Sequence, residues 1–288
     1  MSFTSRRTFL KTTGAVAAAA CVGVGRMEAK PLKQPIGLQI YSVRALMAKD
    51  FDGTLSKIRG AGYEVLEAAG YYDHTAADFR KALDKNGMRC VSTHHTLKVL
   101  QTELDKWIEY GHAIGLEYMV CSSSGGSHRD PAAKGEPTLD DWRWIAGEFN
   151  RIGEKVKAAG MTFGVHNHTP ELATLDGVTV YDELLKLTDP KLVMFEMDAG
   201  WVYASGHNPA DYLSKTPERF PLMHVKDMVR GADGKEKITV LGKGSIDYQP
   251  IMRAATGLKY YFVEQEQFDM EPIEEIHVDA EFMRKLSV

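Results

Sequence analysis

The stretch MTFGVHNH at residues 161–168 is the part of this sequence that most strongly determines the fold. It runs like a buried strand and then ends in histidines, with Glu171 three positions later. An ionisable side chain in a buried strand is costly unless it is paired or bound to a cation. Other runs end in the same way: MRCVSTHH at 88–95, LVMFEMD at 192–198, FPLMHVKD at 220–227 and KYYFVEQE at 259–266. Carboxylates and imidazoles at all these strand ends predict one shared site that binds a divalent metal.

Apolar strand-like runs alternate with amphipathic helical segments along the whole chain after residue 35. Strands are predicted at 36–41, 64–68, 88–94, 117–122, 161–166, 192–197, 220–226 and 259–265, and helices near 52–61, 75–86, 102–114, 139–159, 178–187, 208–215, 247–255 and 271–286. Eight strand–helix units in about 250 residues are typical of a (β/α)8 TIM barrel, whose site lies at the carboxyl ends of the strands. A doubly wound open sheet is the alternative, but residues 39–44 lack the glycine-rich phosphate loop that such a sheet normally carries.

The N-terminus carries an export signal. Residues 5–11, SRRTFLK, form a twin-arginine motif, and the Ala-rich stretch at 14–25 is too short to span a bilayer comfortably. We therefore expect residues 1–30 to be a signal peptide, 31–288 to form a single barrel domain, and the twin-arginine translocase to deliver the chain to the periplasm or the medium without a stable membrane anchor. Cys21 follows four alanines, but Ala18 stands where a lipoprotein box usually has Leu, so lipidation is disfavoured.

Composition excludes some other classes of partner. The chain has 35 basic and 39 acidic residues, for a formal net charge of −4, and no basic patch is interleaved with aromatics. Nucleic acid is therefore not an expected ligand. Cys90 and Cys121 both lie in strand-like runs, where a buried cysteine behaves as a small apolar residue, so structural thiols are expected rather than a disulfide framework.

The strand-end residues define a candidate metal site. Asp198, His224 and Glu264 end the sixth, seventh and eighth predicted strands, and neighbouring strands lie about 5 Å apart, so the three side chains can converge. Carboxylates mixed with imidazole suit Mn²⁺, Mg²⁺, Co²⁺ or Zn²⁺. The fourth ligand should come from the fifth strand, where His166, His168 and Glu171 compete; His166 is favoured, with Glu171 next. Taken singly, Asp198 could instead cap a helix and His224 could be a core histidine.

Lys226 is a candidate acid or base beside this site. It follows His224 by two residues, so the period of a strand points both side chains toward the barrel interior. We expect its pKa to be lowered there. A Lys at the barrel mouth that pairs with Asp227 or Glu196 is an equally good interpretation.

The residues quoted above resemble the xylose-isomerase-like sugar isomerase/epimerase superfamily, and the resemblance extends over residues 35–288. Its epimerases hold Mn²⁺ or a similar ion with a Glu–Asp–His–Glu set from strands five to eight. Asp198, His224 and Glu264 match the last three members. The segment from His224 to Arg230 resembles the family's His-x-x-Asp-x-x-Arg motif, which implies that Arg230 contacts substrate.

The chain departs from the epimerase pattern at two positions. His166, in the motif HNHTPE, stands where those enzymes have their first Glu, and Trp201 stands where they keep a substrate-binding His. The His-Asn-His-x-x-Glu motif resembles a distinct and often exported branch. Some relatives of that kind are thought to act on 3-keto-glucosides rather than on free ketoses.

The resemblance implies a metal-dependent sugar isomerase or epimerase that removes a proton next to a carbonyl on a carbohydrate. Glu264 is the expected base, with Glu171, His168 or Lys226 as its partner on the other face. The candidates for binding substrate are His94, His168, Trp201, Arg230 and Glu67. A lyase or hydratase of 3-keto-glycosides uses the same enediolate chemistry and is the alternative, and a non-catalytic exported sugar-binding barrel is a third hypothesis.

Overall fold

A computed structural model describes residues 31–124, 136–232 and 234–288. The predicted signal peptide, including Cys21, lies outside the described residues. Eight parallel strands close into a barrel in which each strand pairs with its neighbours in sequence and the last pairs with the first. They are β1 (Ile36–Gln39), β2 (Val65–Ala68), β3 (Arg89–Thr96), β4 (Tyr118–Ser123), β5 (Thr162–His166), β6 (Val193–Asp198), β7 (Leu222–Val225) and β8 (Tyr260–Val263).

Helices surround the barrel. They are α1 (Arg44–Lys49), α2 (Phe51–Ala61), α3 (Ala76–Lys85), α4 (Leu97–Ile114), α5 (Leu139–Ala158), α6 (Val180–Leu187), α7 (Ala199–Ala204), α8 (Pro209–Lys215), α9 (Tyr248–Ala254) and α10 (Pro272–Lys285). A hairpin of Asp227–Arg230 and Glu236–Thr239 follows β7, and a smaller one of Thr174–Leu175 and Val178–Thr179 follows β5. The predicted TIM barrel is therefore confirmed.

Most predicted elements agree with the structure to within a few residues, and the exceptions have local causes. α4 begins at Leu97 rather than near 102, because the Thr96 side chain caps it by accepting a hydrogen bond from the Val99 amide at 3.3 Å. Glu103 has a non-helical backbone (φ −132°) and divides this helix. Cys90 and Cys121 are free, buried thiols, as the sequence predicted.

The barrel interior is layered by the two-residue period of its strands. Its floor is a small apolar cluster made of Val65, Val91, Val120, Met194, Leu222 and Phe262. Two positions later, on four of the same strands, the inward residues are Glu67, Glu196, His224 and Glu264, all of them buried. Inward-pointing residues of a closed barrel stack in layers, so an ionisable layer rests directly on an apolar one at the carboxyl end.

The close packing of α5 against the barrel generates a stability prediction. A β-carbon at Gly153 would lie 2.5 Å from the Leu192 backbone oxygen, whereas one at Gly147, on the exposed side of the same helix, meets nothing within 4 Å. We expect Gly153→Ala to destabilise the protein by roughly 1–3 kcal/mol through overpacking. Gly147→Ala should stabilise it by up to about 1 kcal/mol through helix propensity. Urea unfolding of both variants tests this, and equal shifts would contradict the close approach.

Candidate metal centre and active-site cavity

Four ligand candidates converge at the carboxyl end of the barrel. His166, Asp198, His224 and Glu264 are all buried, and each offers one atom such that the four atoms lie within 4.8 Å of one another. Strand register explains the convergence. Asp198 on β6 pairs with His224 on β7, and His224 pairs in turn with Phe262 on β8. Glu264 follows Phe262 by two residues and so lies on the same face of β8. Among the described residues, the buried Oδ2 of Asp198 has the Lys226 ammonium as a neighbour at 2.9 Å but accepts no hydrogen bond of good geometry. Two imidazoles and two carboxylates fit a hard or borderline divalent ion.

Lys226 lies against the same carboxylates. Its side chain is fully buried, and Nζ lies 2.9 Å from Asp198 Oδ2, 2.8 Å from Glu264 Oε2 and 2.6 Å from Glu266 Oε1. Burial alone lowers the pKa of this ammonium, but the three carboxylates outweigh that effect and hold the pKa well above its ordinary value. The expectation of a lowered pKa was therefore wrong. Asp227 serves the backbone instead, since it accepts hydrogen bonds from three amides of the 242–246 loop.

Beneath these residues lies a second, deeper layer of charge. His224 Nε2 lies 2.6 Å from Glu67 Oε2 and 3.3 Å from Glu196 Oε2, while His94 Nε2 lies 2.6 Å from Glu196 and 3.0 Å from Glu67. His94, Glu196, His166 and His224 form a second, overlapping set with metal-ligand spacing. Sequence analysis did not select Glu196 as a site residue. Its position two residues before Asp198, which puts both on the inner face of β6, was the available signal.

Protonation states in the deeper layer follow from burial and pairing. Burial lowers the pKa of His94, but Glu67 and Glu196 outweigh it and raise the value to about 10. Burial raises the pKa of Glu67, but His94 and His224 bring it well below its usual range. Burial, reinforced by the charge of Glu67, raises the pKa of Glu196 to about 7. Burial and the neighbouring His224 lower the pKa of His166 well below its ordinary value, so it is neutral, as a metal ligand must be.

The end of β5 positions two further groups. Glu171 is buried in the turn Pro170–Leu172, where Oε2 accepts a hydrogen bond from the His168 amide at 2.9 Å, and burial raises its pKa to about 7. It lies outside the four-residue set, so the geometry favours His166 as the fifth-strand ligand. Asn167, which sequence analysis missed, accepts from the Asp198 amide and donates to the Asp198 carbonyl, at 3.0 and 3.3 Å. This side-chain amide ties the end of β5 to the end of β6.

A cavity of about 350 Å³ opens above the ligand set. It is lined by Tyr41, His94, His166, His168, Glu264 and Glu266, among others. Burial lowers the pKa of His168, so this cavity-lining imidazole is neutral. The predicted residues Glu264, His94 and His168 thus face one space, and Glu67 lies beneath it.

Two other predicted substrate contacts lie elsewhere. The Trp201 ring is half-buried behind Lys226, with its centroid 5.0 Å from Nζ. Arg230 is exposed at the end of the hairpin strand, where Nε donates to the Gly234 carbonyl at 3.1 Å. It borders a separate hollow beside Tyr203 and His207. The structure therefore does not bring Arg230 to the ligand set, because the hairpin carries residues 227–230 out of the barrel.

Comparison with known proteins agrees with this architecture. A family model described as the xylose isomerase-like TIM barrel matches residues 55–286. The chain belongs to that family. A second model, for the twin-arginine translocation signal, matches residues 4–23 and supports export across the membrane. Over the described part of the chain, no helix is both long enough and apolar enough to cross a bilayer.

Individual relatives are similar over most of the family domain. An inosose dehydratase of Clostridium botulinum is 26% identical over 231 residues, covering 70% of this chain and 76% of its own length. An inosose dehydratase of Geobacillus kaustophilus is 27% identical over 248 residues, which cover 75% of this chain and 80% of the length of that protein. The crystal structure of a sugar phosphate isomerase/epimerase from Parabacteroides distasonis superposes with a TM-score of 0.74 at 26% identity, covering 88% of this chain and 98% of that one.

The ligand geometry predicts the metal content of the purified protein. Protein prepared without chelator should carry a stoichiometric divalent ion, and Asp198→Asn and His224→Ala should lose it, because each removes a direct ligand. The loss of affinity should exceed the ~10–100-fold effect of removing an outer-shell partner. Elemental analysis by mass spectrometry measures this, with Arg230→Ala as the control that keeps its metal. Unchanged metal in both ligand variants would contradict the site.

Proposed function

We propose that this chain removes a proton next to a carbonyl group on a carbohydrate, with a divalent ion bound, and that β-elimination follows. The observation that carries the proposal is the position of Glu264, which borders the cavity, belongs to the four-residue ligand set and lies 2.8 Å from Lys226 Nζ. An ion held by His166, Asp198, His224 and Glu264 would polarise the substrate carbonyl and so acidify the neighbouring C–H bond. Mn²⁺, Mg²⁺, Co²⁺ and Zn²⁺ all suit this donor set.

Glu264 is the proposed base. Burial raises the pKa of its carboxyl group, but Lys226 and His224 outweigh burial and hold the pKa well below its usual range. The group is therefore ionised at neutral pH and free to accept a proton. It lines the cavity, within reach of a substrate that enters from the carboxyl end of the barrel.

Lys226 is the proposed proton donor. Its ammonium group is kept charged by Asp198, Glu264 and Glu266, and Glu266 also borders the cavity. Elimination balances with these two groups alone. Glu264 takes the α-proton, and the C–H electron pair forms the carbon–carbon double bond. The β C–O bond breaks, and the departing oxygen takes a proton from Lys226. No redox partner is needed. Glu171 acts as a positioning residue, since it holds the amide of His168 at the cavity wall.

Two observations favour elimination over the isomerisation or epimerisation that sequence analysis placed first. The curated relatives are named dehydratases, and dehydration of a hydroxyketone is a β-elimination. An exported enzyme also meets glycosides more often than free or phosphorylated ketoses, so a glycosidic oxygen is a natural leaving group. Isomerisation or epimerisation remains the second candidate, supported by the name of the similar Parabacteroides protein.

We further propose where the chain works and how it is processed. The twin-arginine signal matches residues 4–23, just ahead of the first described residue. Cleavage near residue 30 would leave a mature protein of residues 31–288 in the periplasm or the medium. Its partners would then be a carbohydrate substrate and, during export, the twin-arginine translocase.

Incubation in D₂O with a 3-keto-glucoside separates the candidate reactions. We expect release of the aglycone and no isomerised sugar. Glu264→Gln should lower the rate by roughly 10²–10⁴-fold, which is the usual contribution of a general base. Glu274→Gln, at an exposed position on α10, is the matched control and should retain full activity.

Other products would point elsewhere. Deuterium at the carbon next to the carbonyl, with the glycosidic bond intact, would favour the isomerase or epimerase over elimination. Binding of free and oxidised sugars without any turnover would favour the non-catalytic sugar-binding barrel. Full activity in Glu264→Gln would rule out the proposed base.

A further inference from the structure

A second cavity lies next to the metal centre, on the same end of the barrel. It has a volume of about 470 Å³ and lies between the loop that follows β2 and the first turns of α4. Its lining includes Tyr72, Asp73, His95, Lys106 and Trp107. His95 also borders the metal cavity, so the two spaces share a wall. We call this second space the aromatic pocket.

Three buried polar atoms on residues of the aromatic pocket have no hydrogen-bond partner in the part of the chain that the structure describes. They are Tyr72 Oη, His95 Nε2 and Trp107 Nε1. The His95 side chain belongs to a residue that is only 9% exposed. Nearly all buried polar groups in proteins are satisfied, and leaving one unsatisfied is costly. Three such groups on residues that border one hollow favour a polar ligand there over an apolar one.

Much of the rest of the wall is aromatic. Tyr71 stacks on Trp107 with ring centroids 5.4 Å apart, and the centroid of His95 lies 4.8 Å from that of Trp107. The hydroxyl of Tyr71 is already used, since it donates to Thr93 Oγ1 at 2.9 Å. Lys106 Nζ lies 4.3 Å from the Trp107 ring centroid at the rim. Aromatic faces with a few directed polar groups suit a sugar ring, which presents C–H faces and hydroxyl edges.

Backbone geometry supports a built site. Tyr72 and Asp73 have positive φ values of 51° and 60°, in the left-handed region that non-glycine residues rarely adopt. Such backbone conformations are concentrated at ligand clamps and other functional sites. Tyr72 and Asp73 both border the pocket. On the opposite wall, α4 is interrupted at Glu103, which also borders the pocket.

Successive residues of β3 face the two cavities. His94 points into the barrel, where Nε2 lies 2.6 Å from Glu196, and His95 packs on the aromatic wall. A substrate whose reacting ring lies above the metal ligands would therefore place its next ring at His95.

We propose that the aromatic pocket is a second carbohydrate subsite, which binds the neighbouring sugar unit of a glycoside whose first ring reacts in the metal cavity. This inference rests on the proposed function and names its substrate class: a disaccharide or longer glycoside. An apolar ligand would leave the three polar atoms unsatisfied. An anion would meet the carboxylates of Asp73 and Glu103 as well as Lys106.

Calorimetric binding to the metal-loaded protein tests the subsite. The probes are glucose, cellobiose and maltose. Wild type should bind at least one disaccharide more than about tenfold tighter than glucose. Tyr72→Phe keeps the ring and removes one hydroxyl, so it should weaken disaccharide binding by about fivefold, the worth of one hydrogen bond. Trp107→Leu should weaken it further, and neither variant should change glucose binding.

Trp144→Leu is the matched control, because Trp144 is 37% exposed on the outer helix α5, and it should bind all three sugars like wild type. Trp107 is half-buried, so the binding result for Trp107→Leu counts only if its thermal unfolding profile matches that of wild type. If the profile differs, the test rests on Tyr72→Phe. Equal affinities of wild type for glucose and both disaccharides would overturn the subsite. So would an unaltered disaccharide affinity in Tyr72→Phe, or a loss that is equal for glucose.

Turnover separates this inference from the proposed function. With 3-keto-cellobiose, Tyr72→Phe should raise KM and leave kcat unchanged. With methyl 3-keto-glucoside, the variant should leave both KM and kcat unchanged. An equal change of KM for both substrates would overturn the subsite. If wild type binds disaccharides as expected but turns over neither substrate, the proposed function fails and the subsite stands.

Discussion

The architecture of this protein depends on holding several carboxylates close together inside a closed barrel. Glu67, Glu196, Asp198 and Glu264 are all buried at its carboxyl end. Removing an unpaired carboxylate from water costs several kcal/mol, and like charges at short range add to that cost. Each carboxylate therefore lies against an imidazole or against the Lys226 ammonium. In the resulting network, removing the charge of one group changes the electrostatic environment of its neighbours.

The apolar floor of the barrel makes this network possible. It fills the interior below the ionisable layer and excludes water, so the ion pairs above it act at short range in a low dielectric. Because the strands are parallel, the same two-residue step takes four of them (β2, β6, β7 and β8) from the floor to the ionisable layer. The open end of that layer meets the cavity, where Glu264 lies on the wall together with His168 from the end of β5.

Several features of the site could be predicted from the sequence because they depend on one strand at a time. The ionisable residue at the end of an apolar run identifies Asp198, His224 and His166, and the strand–helix repeat predicts a barrel that brings those ends together. Lys226 was placed on the correct face for the same reason. Its protonation state was predicted wrongly, because the pKa depends on three carboxylates that arrive from two other strand ends.

The sequence by itself determined the strand–helix order, the export signal, the face on which each strand-end residue lies and the donor types offered to a metal. The tertiary structure alone decided which partners those residues meet. It placed Glu196 in the network and Glu171 in the turn after β5 rather than among the ligands. It also placed Arg230 on a hairpin, away from the ligand set. It also assembled the aromatic pocket from β3, α4 and the loop after β2. Local periodicity sets the direction of a side chain, but contacts between distant segments exist only once the barrel has closed.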